Sequence, residues 1–132
     1  MLKAIGLTKC YEDGVLALDG LNLEVRAGQC YALLGANGAG KTTAMNLFLG
    51  FLEPTSGQAL VNDIDVAREP LAAKRHVGYL PENVMLYGNL TAIQNLRFFT
   101  SLADVHIDQD AQAVVLREVG LQESAWNRRL RE

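Results

Sequence analysis

Cys30-Tyr31-Ala32-Leu33-Leu34-Gly35-Ala36-Asn37-Gly38-Ala39-Gly40-Lys41-Thr42-Thr43 is the stretch whose reading decides the fold. Its first five residues are apolar without interruption, the pattern of a strand buried on both faces of a parallel sheet. Gly35 to Thr42 then satisfies the spacing GxxxxGK[ST] at every fixed position. Met45, Leu47, Phe48 and Leu49 supply the apolar bulk of a helix expected from Lys41 to about Gly50. Strand, glycine loop and helix in this order form a cradle for phosphate. The glycines let the backbone wrap an anion without Cβ clashes. Successive N–H groups then converge as an anion nest, and the positive end of the helix points at the same place. Lys41 adds a mobile point charge for the β- and γ-phosphates of a nucleotide, and Thr42 a hydroxyl for Mg²⁺.

Outward from the loop, the chain alternates strand and turn signals. Leu2 to Leu7 predicts a short strand, and Tyr11-Glu12-Asp13-Gly14 a hairpin turn. Leu21, Leu23 and Val25 alternate with Asn22, Glu24 and Arg26, as in a half-buried antiparallel strand. Gln58–Val61 and Ile64–Val66 flank Asn62-Asp63, the pattern of a small hairpin. Glu69–Arg75 predicts a short helix entered near Pro70. His76–Leu80 predicts a second apolar strand, stopped by Pro81. Thr91-Ala92-Ile93-Gln94 has capping-box spacing. Asp108 is placed to cap the next helix and Gly120 to end it, with Leu121 behind. Met45, Phe48, Phe98, Phe99 and Trp126 are expected in the core. Residues 1–82 therefore mix strands with helices, while 90–132 are helical, with a boundary expected near 83–90.

Composition restricts the function classes. The 132 residues carry 12 Lys+Arg against 15 Asp+Glu, a net charge of −3, so a strongly basic nucleic-acid surface is excluded as the main role. No apolar run approaches the ~18–20 residues of a membrane helix, and the first residues lack a signal-peptide core. Cys10 and Cys30 have no metal spacing and read as reduced packing residues of a cytoplasmic chain.

Beyond the loop, an ordered series of motifs resembles the ATP-binding subunit of ABC transporters. Leu34–Thr43 is similar to the Walker A form usual in that family. Leu18-Asp19-Gly20-Leu21-Asn22-Leu23 with Gly28 resembles its first antiparallel strands. Pro54-Thr55-Ser56-Gly57 falls at the turn after the Walker A helix. Val77-Gly78-Tyr79-Leu80-Pro81-Glu82-Asn83 resembles the strand and Q-loop, and Leu90-Thr91 with Asn95-Leu96 the start of the helical subdomain. GTPases and kinases lack this series. The implied fold is α/β: a P-loop NTPase core with an antiparallel β-subdomain over residues 1–89, and the beginning of a helical subdomain over 90–132.

The resemblance implies roles and partners. ATP and Mg²⁺ are the cofactors. Tyr11 falls where the family places an aromatic that stacks on adenine, worth about 1–3 kcal/mol by analogy with other base–aromatic pairs. Gly35, Asn37, Gly38, Ala39, Gly40, Lys41, Thr42 and Thr43 hold phosphates, and Lys41 and Glu82 form the catalytic set. Glu82 stands where the family usually has the glutamine that reaches magnesium and the attacking water. A carboxylate there is a charged oxygen donor, so Thr42 and Glu82 form the expected metal set. Tyr79-Leu80-Pro81-Glu82-Asn83 resembles a subset of bacterial exporters that includes copper-processing and gliding-type systems. The apolar segment Val84-Met85-Leu86-Tyr87 matches the region that meets a membrane-spanning permease subunit, or else docks on the chain's own helical subdomain. A second ATP-binding subunit in a head-to-tail dimer is the other partner, and the cytoplasmic face of the inner membrane the implied location.

These residues contain no LSGGQ-like segment and no apolar run ending in Asp-Glu, so the signature motif, Walker B and its glutamate are absent from the sequence. An incomplete nucleotide-binding domain is the expectation. It predicts micromolar or weaker ATP binding without hydrolysis above background. It also predicts an open apolar edge at Cys30–Leu34, with marginal stability, self-association or covering by another chain. A soluble ABC-type ATPase of repair or translation without a membrane partner, and a non-catalytic nucleotide-binding fragment, are the alternatives.

Overall fold

The computed structural model describes residues 1–131. Contacts divide the chain into two compact units, Met1–Leu80 and Pro81–Glu132.

The first unit is built on a four-stranded antiparallel sheet in the order β2-β1-β3-β4. Strands β1 (Leu2–Cys10) and β2 (Leu16–Val25) are joined by the Asp-Gly turn, where Tyr11 N donates to Val15 O and Gly14 N to Tyr11 O, each at 2.9 Å. Both strands run longer than the sequence pattern indicates, because bulges break their alternation. The register slips between Ala4 and Leu7, so these two residues, three apart, both reach the core. Gly6, at φ +53°, sits in that slip, and its N–H donates to Asn22 Oδ1 at 2.9 Å. Gly20 N is likewise taken by Thr8 Oγ1 at 2.9 Å.

Strands β3 (Ser56–Val61) and β4 (Ile64–Asp65) form the small hairpin expected around Asn62-Asp63. Both turn residues are left-handed, with φ of 47° and 63°, the requirement of a type I′ turn. Helix α1 (Lys41–Phe48) ends where Gly50, at φ +66°, donates to Leu47 O while Phe51 N reaches Asn46 O, a Schellman stop. Helix α2 (Pro70–Lys74) carries its proline in the first turn. Leu7, Leu47 and Val61 are the largest fully buried side chains, packed with Ala4, Phe48, Ala59 and Val66. Removing the bulk of one such residue costs about 2–5 kcal/mol.

Two expected strands do not form. Cys30–Leu34 and His76–Leu80 make no ladder, and Tyr31 and Leu34 are 55% and 89% exposed. A doubly buried strand exists only through neighbours on both sides. Among the described residues, the four ladder strands are engaged with one another, and none offers these segments a parallel partner. The open strand edge expected at Cys30–Leu34 is therefore an unladdered apolar segment. Met45 is also exposed, contrary to its expected place in the core, because α1 turns Ala44, Leu47 and Phe48 inward instead.

The second unit holds α3 (Ala92–Leu102), α4 (Gln109–Glu118) and a short 3₁₀ turn at Glu123–Ala125. The capping box forms: Gln94 N donates to Thr91 Oγ1 at 3.2 Å, and Thr91 N to Gln94 Oε1 at 2.9 Å. Asp108 caps α4 through Ala111 N at 2.8 Å. Gly120 and Leu121 close it by donating to Arg117 O and Leu116 O, each at 2.9 Å. Asn95 is buried, and its amide binds both backbone groups of Tyr87. Trp126 is half-buried with its indole N–H on Leu121 O, while Phe99 is exposed rather than core.

Candidate functional site

The glycine-rich loop runs from Gly35 into the first turn of α1. Ala39 N donates to Ala36 O at 3.1 Å, closing a turn whose outer residues Asn37, Gly38 and Ala39 are exposed. Gly40 is the N-cap, at φ +83°. It is buried, and a Cβ there would run into the carbonyl oxygen of Ala17 on β2. Only glycine can therefore end this loop, both for its left-handed backbone and for its close approach to the sheet. Gly38 also has positive φ, but open space surrounds it.

A glycine cap has no side chain, and none bonds to the helix start. The N–H groups of Lys41, Thr42 and Thr43 thus lack intrahelical or side-chain acceptors. No acidic residue occupies the first turn, so the positive helix end is unopposed by a local carboxylate. The Lys41 ammonium lies across the loop, donating to Gly35 O at 2.7 Å and Ala36 O at 2.8 Å. Thr42 is exposed and Thr43 buried at the same turn. Such a set can take an anion on backbone donors, add a lysine charge, and offer a free hydroxyl to a hard cation.

Tyr11 is brought to this place from the β1–β2 turn. Its hydroxyl lies 3.3 Å from Thr43 Oγ1, and its ring is partly exposed. Lys9, near the end of β1, holds its ammonium 5.6 Å from the ring centroid. No local pattern marks Lys9 in the sequence, because its ammonium is placed by Glu53 O, 44 residues further on.

Glu82 belongs to the second unit, exposed in an irregular segment. The apolar residues after it divide in behaviour. The Tyr87 ring packs edge-on against Phe98 at 4.8 Å, whereas Met85 is 84% exposed.

A sheet-braced glycine loop that opens a helix and carries a lysine at its first position defines the P-loop class of α/β folds. The family model described as ABC transporter matches residues 18–132, and the chain belongs to that family. It is 45% identical over 102 residues to the probable multidrug ABC transporter ATP-binding protein YbhF of Escherichia coli, covering 77% of this chain and 18% of that protein. It is 34% identical over 117 residues to the human phospholipid-transporting ATPase ABCA3, covering 87% of this chain and 7% of the relative. Among solved structures, an ATP-binding subunit of an ABC transporter superposes with a TM-score of 0.80 at 29% identity, over 98% of this chain and 54% of that one. The dimeric cassette MJ0796 superposes with a TM-score of 0.77 at 23% identity, over 98% and 61% respectively. The chain thus spans under a fifth of these curated relatives and just over half of the cassette structures.

Proposed function

We propose that these residues form the nucleotide-gripping part of an ABC transporter ATPase that couples ATP binding and hydrolysis to transport by a membrane subunit. The observation that carries the proposal is the uncapped start of α1, with three N–H groups and the Lys41 ammonium gathered at one glycine loop. Gly35, Asn37, Gly38, Ala39 and Gly40 shape the cradle, and Lys41, Thr42 and Thr43 meet the phosphates. Tyr11 takes the adenine face. Thr42 presents an exposed hydroxyl at the phosphate end, a donor that suits Mg²⁺, and the family resemblance adds the Glu82 carboxylate to the metal set. Bound there, Mg²⁺ would neutralise charge on the β- and γ-phosphates. Residues 1–89 act as β-subdomain and P-loop core, and 90–132 as the beginning of the helical subdomain.

The partners we infer are a permease subunit and a second ATP-binding subunit. Names among the solved relatives support this: MJ0796 is described as dimeric, and cbiO1 of Clostridium perfringens as part of the complex cbiONQ. The exposed Met85 suits a docking role against a membrane subunit. Among the described residues no helix is long and apolar enough to cross a membrane, and attachment through a permease at the cytoplasmic face of the inner membrane follows from the proposal.

Titration with ATP in the presence of Mg²⁺ tests it. Lys41→Ala removes a charge-assisted contact worth about 1.5–3 kcal/mol, so affinity falls roughly tenfold or more. Equal affinity in the two proteins would defeat the proposal. Glu82→Gln lowers the Mg²⁺ dependence of binding if the carboxylate belongs to the metal set.

A further inference from the structure

Helix α1 and the loop that follows it bear on Tyr11 directly through Thr43, and indirectly through its neighbours Cys10 and Lys9. Thr43, in the first turn of α1, meets the phenol hydroxyl at 3.3 Å. Past the end of α1, Thr55 Oγ1 accepts from Cys10 N at 3.0 Å and donates to Cys10 O at 3.2 Å, fixing the backbone just before the aromatic. Between these, Glu53 O accepts from Lys9 Nζ at 2.8 Å, and that tether places the ammonium 5.6 Å from the Tyr11 ring centroid. An unrestrained lysine would lose side-chain entropy to sit over a ring. Here the carbonyl fixes the ammonium, and the cation–π attraction acts at reduced cost.

We propose that Lys9 is a positioning residue for nucleotide binding. It covers one face of Tyr11, holds the ring in place, and leaves the opposite face as the seat for a base. The inference deepens the function proposed above and rests on it, because it presumes that Tyr11 stacks on the base. Lys9 acts through Tyr11, and its effect belongs to the base rather than to the phosphates.

The experiment compares two probes on the full chain: ATP, and inorganic tripolyphosphate, which has the charge of the nucleotide tail but no base. Lys9→Met keeps the length and apolar stem while removing the charge. It should weaken ATP binding about two- to fivefold, the range of an exposed cation–π contact, and leave tripolyphosphate binding unchanged. Lys9→Arg should restore ATP binding, since a guanidinium can both reach a carbonyl and cover a ring. Tyr11→Ala separates the two levels of inference. If Tyr11→Ala weakens ATP alone and Lys9→Met does nothing, the role of Lys9 is overturned and the stacking role stands. If Lys9→Met weakens both probes equally, Lys9 acts through charge or folding, and its positioning role is likewise overturned. If Tyr11→Ala leaves ATP binding intact, the stacking reading beneath the proposal fails.

Discussion

Replacing Gly40 by alanine tests whether the loop is braced on the sheet. Two costs add at this position. An L-residue at φ +83° pays about 1–2 kcal/mol for the left-handed backbone. The new Cβ also meets the carbonyl oxygen of Ala17, a backbone atom of β2 that cannot swing aside. Overpacking of this kind costs about 1–3 kcal/mol, so the sum is about 2–5 kcal/mol. A small domain has about 5–15 kcal/mol in all, making this a large share of what holds the first unit. Gly38→Ala is the matched control. Its φ is +86°, yet nothing lies within 4 Å of the added carbon, so only the backbone term applies. The stiffer unfolded chain returns about 0.4–1 kcal/mol in both variants alike, so the two differ by the ~1–3 kcal/mol of the clash. Urea unfolding without nucleotide, followed by far-ultraviolet circular dichroism, separates the two. With a slope near ~1 kcal/mol per molar urea, Gly38→Ala should move the midpoint by roughly 1 M or less. Gly40→Ala should move it by about 2 M or more, or abolish the folded baseline. Midpoints within about 0.5 M of each other would refute the bracing of the loop by β2.

Two further outcomes are expected. Asn95→Leu strips Tyr87 N of its acceptor at 2.8 Å and Tyr87 O of its side-chain donor at 3.0 Å. With those groups left in a partly buried site, the cost is about 2–4 kcal/mol, read from the fluorescence of Trp126 in the same unit and from faster exchange of the Tyr87 amide. In the sheet, the hydrogen bond and charge of Arg26 hold the Glu24 carboxyl below its ordinary value, with a smaller contribution from Lys3. A depressed folded value means the contribution to stability is present above the unfolded value and is lost as pH falls through the folded one. Arg26→Gln should therefore raise the Glu24 midpoint in an NMR titration, and an unmoved midpoint would contradict the pairing.

What was legible in the sequence was mostly what is local. The capping box at Thr91 and Gln94, the Asp108 cap, the Gly120 stop and the Asn62-Asp63 turn each depend on partners two to five residues away, and each forms. The glycine-lysine motif is legible for the same reason. The strands were harder. Gly6 and Gly20 bulge β1 and β2, so Leu2–Cys10 and Leu16–Val25 never present a clean two-residue period. Cys30–Leu34 shows the opposite failure. An unbroken apolar run states a demand for burial but not which segments answer it, and pairing is decided by chain elsewhere. The tie between Tyr11 and Thr43 spans 32 residues, and no pattern within either neighbourhood announces it.

The unladdered state of Cys30–Leu34 bears on what gives the loop its shape. If the preceding strand fixed the loop, the glycine turn should have lost its form along with the ladder. It has not: Gly40 is seated against the backbone of β2, Lys41 ties back to Gly35 and Ala36, and Ala39 closes on Ala36. Two of these three constraints lie within the loop and the first residue of α1. The third comes from an antiparallel strand on the other side of the sequence motif. The binding geometry is therefore a property of the loop, α1 and β2 together, and a parallel neighbour would add burial for Tyr31 and Leu34 rather than create the cradle. The donors of the phosphate site are backbone groups set by glycine conformation and one lysine, and their local geometry holds without a ladder at Cys30–Leu34.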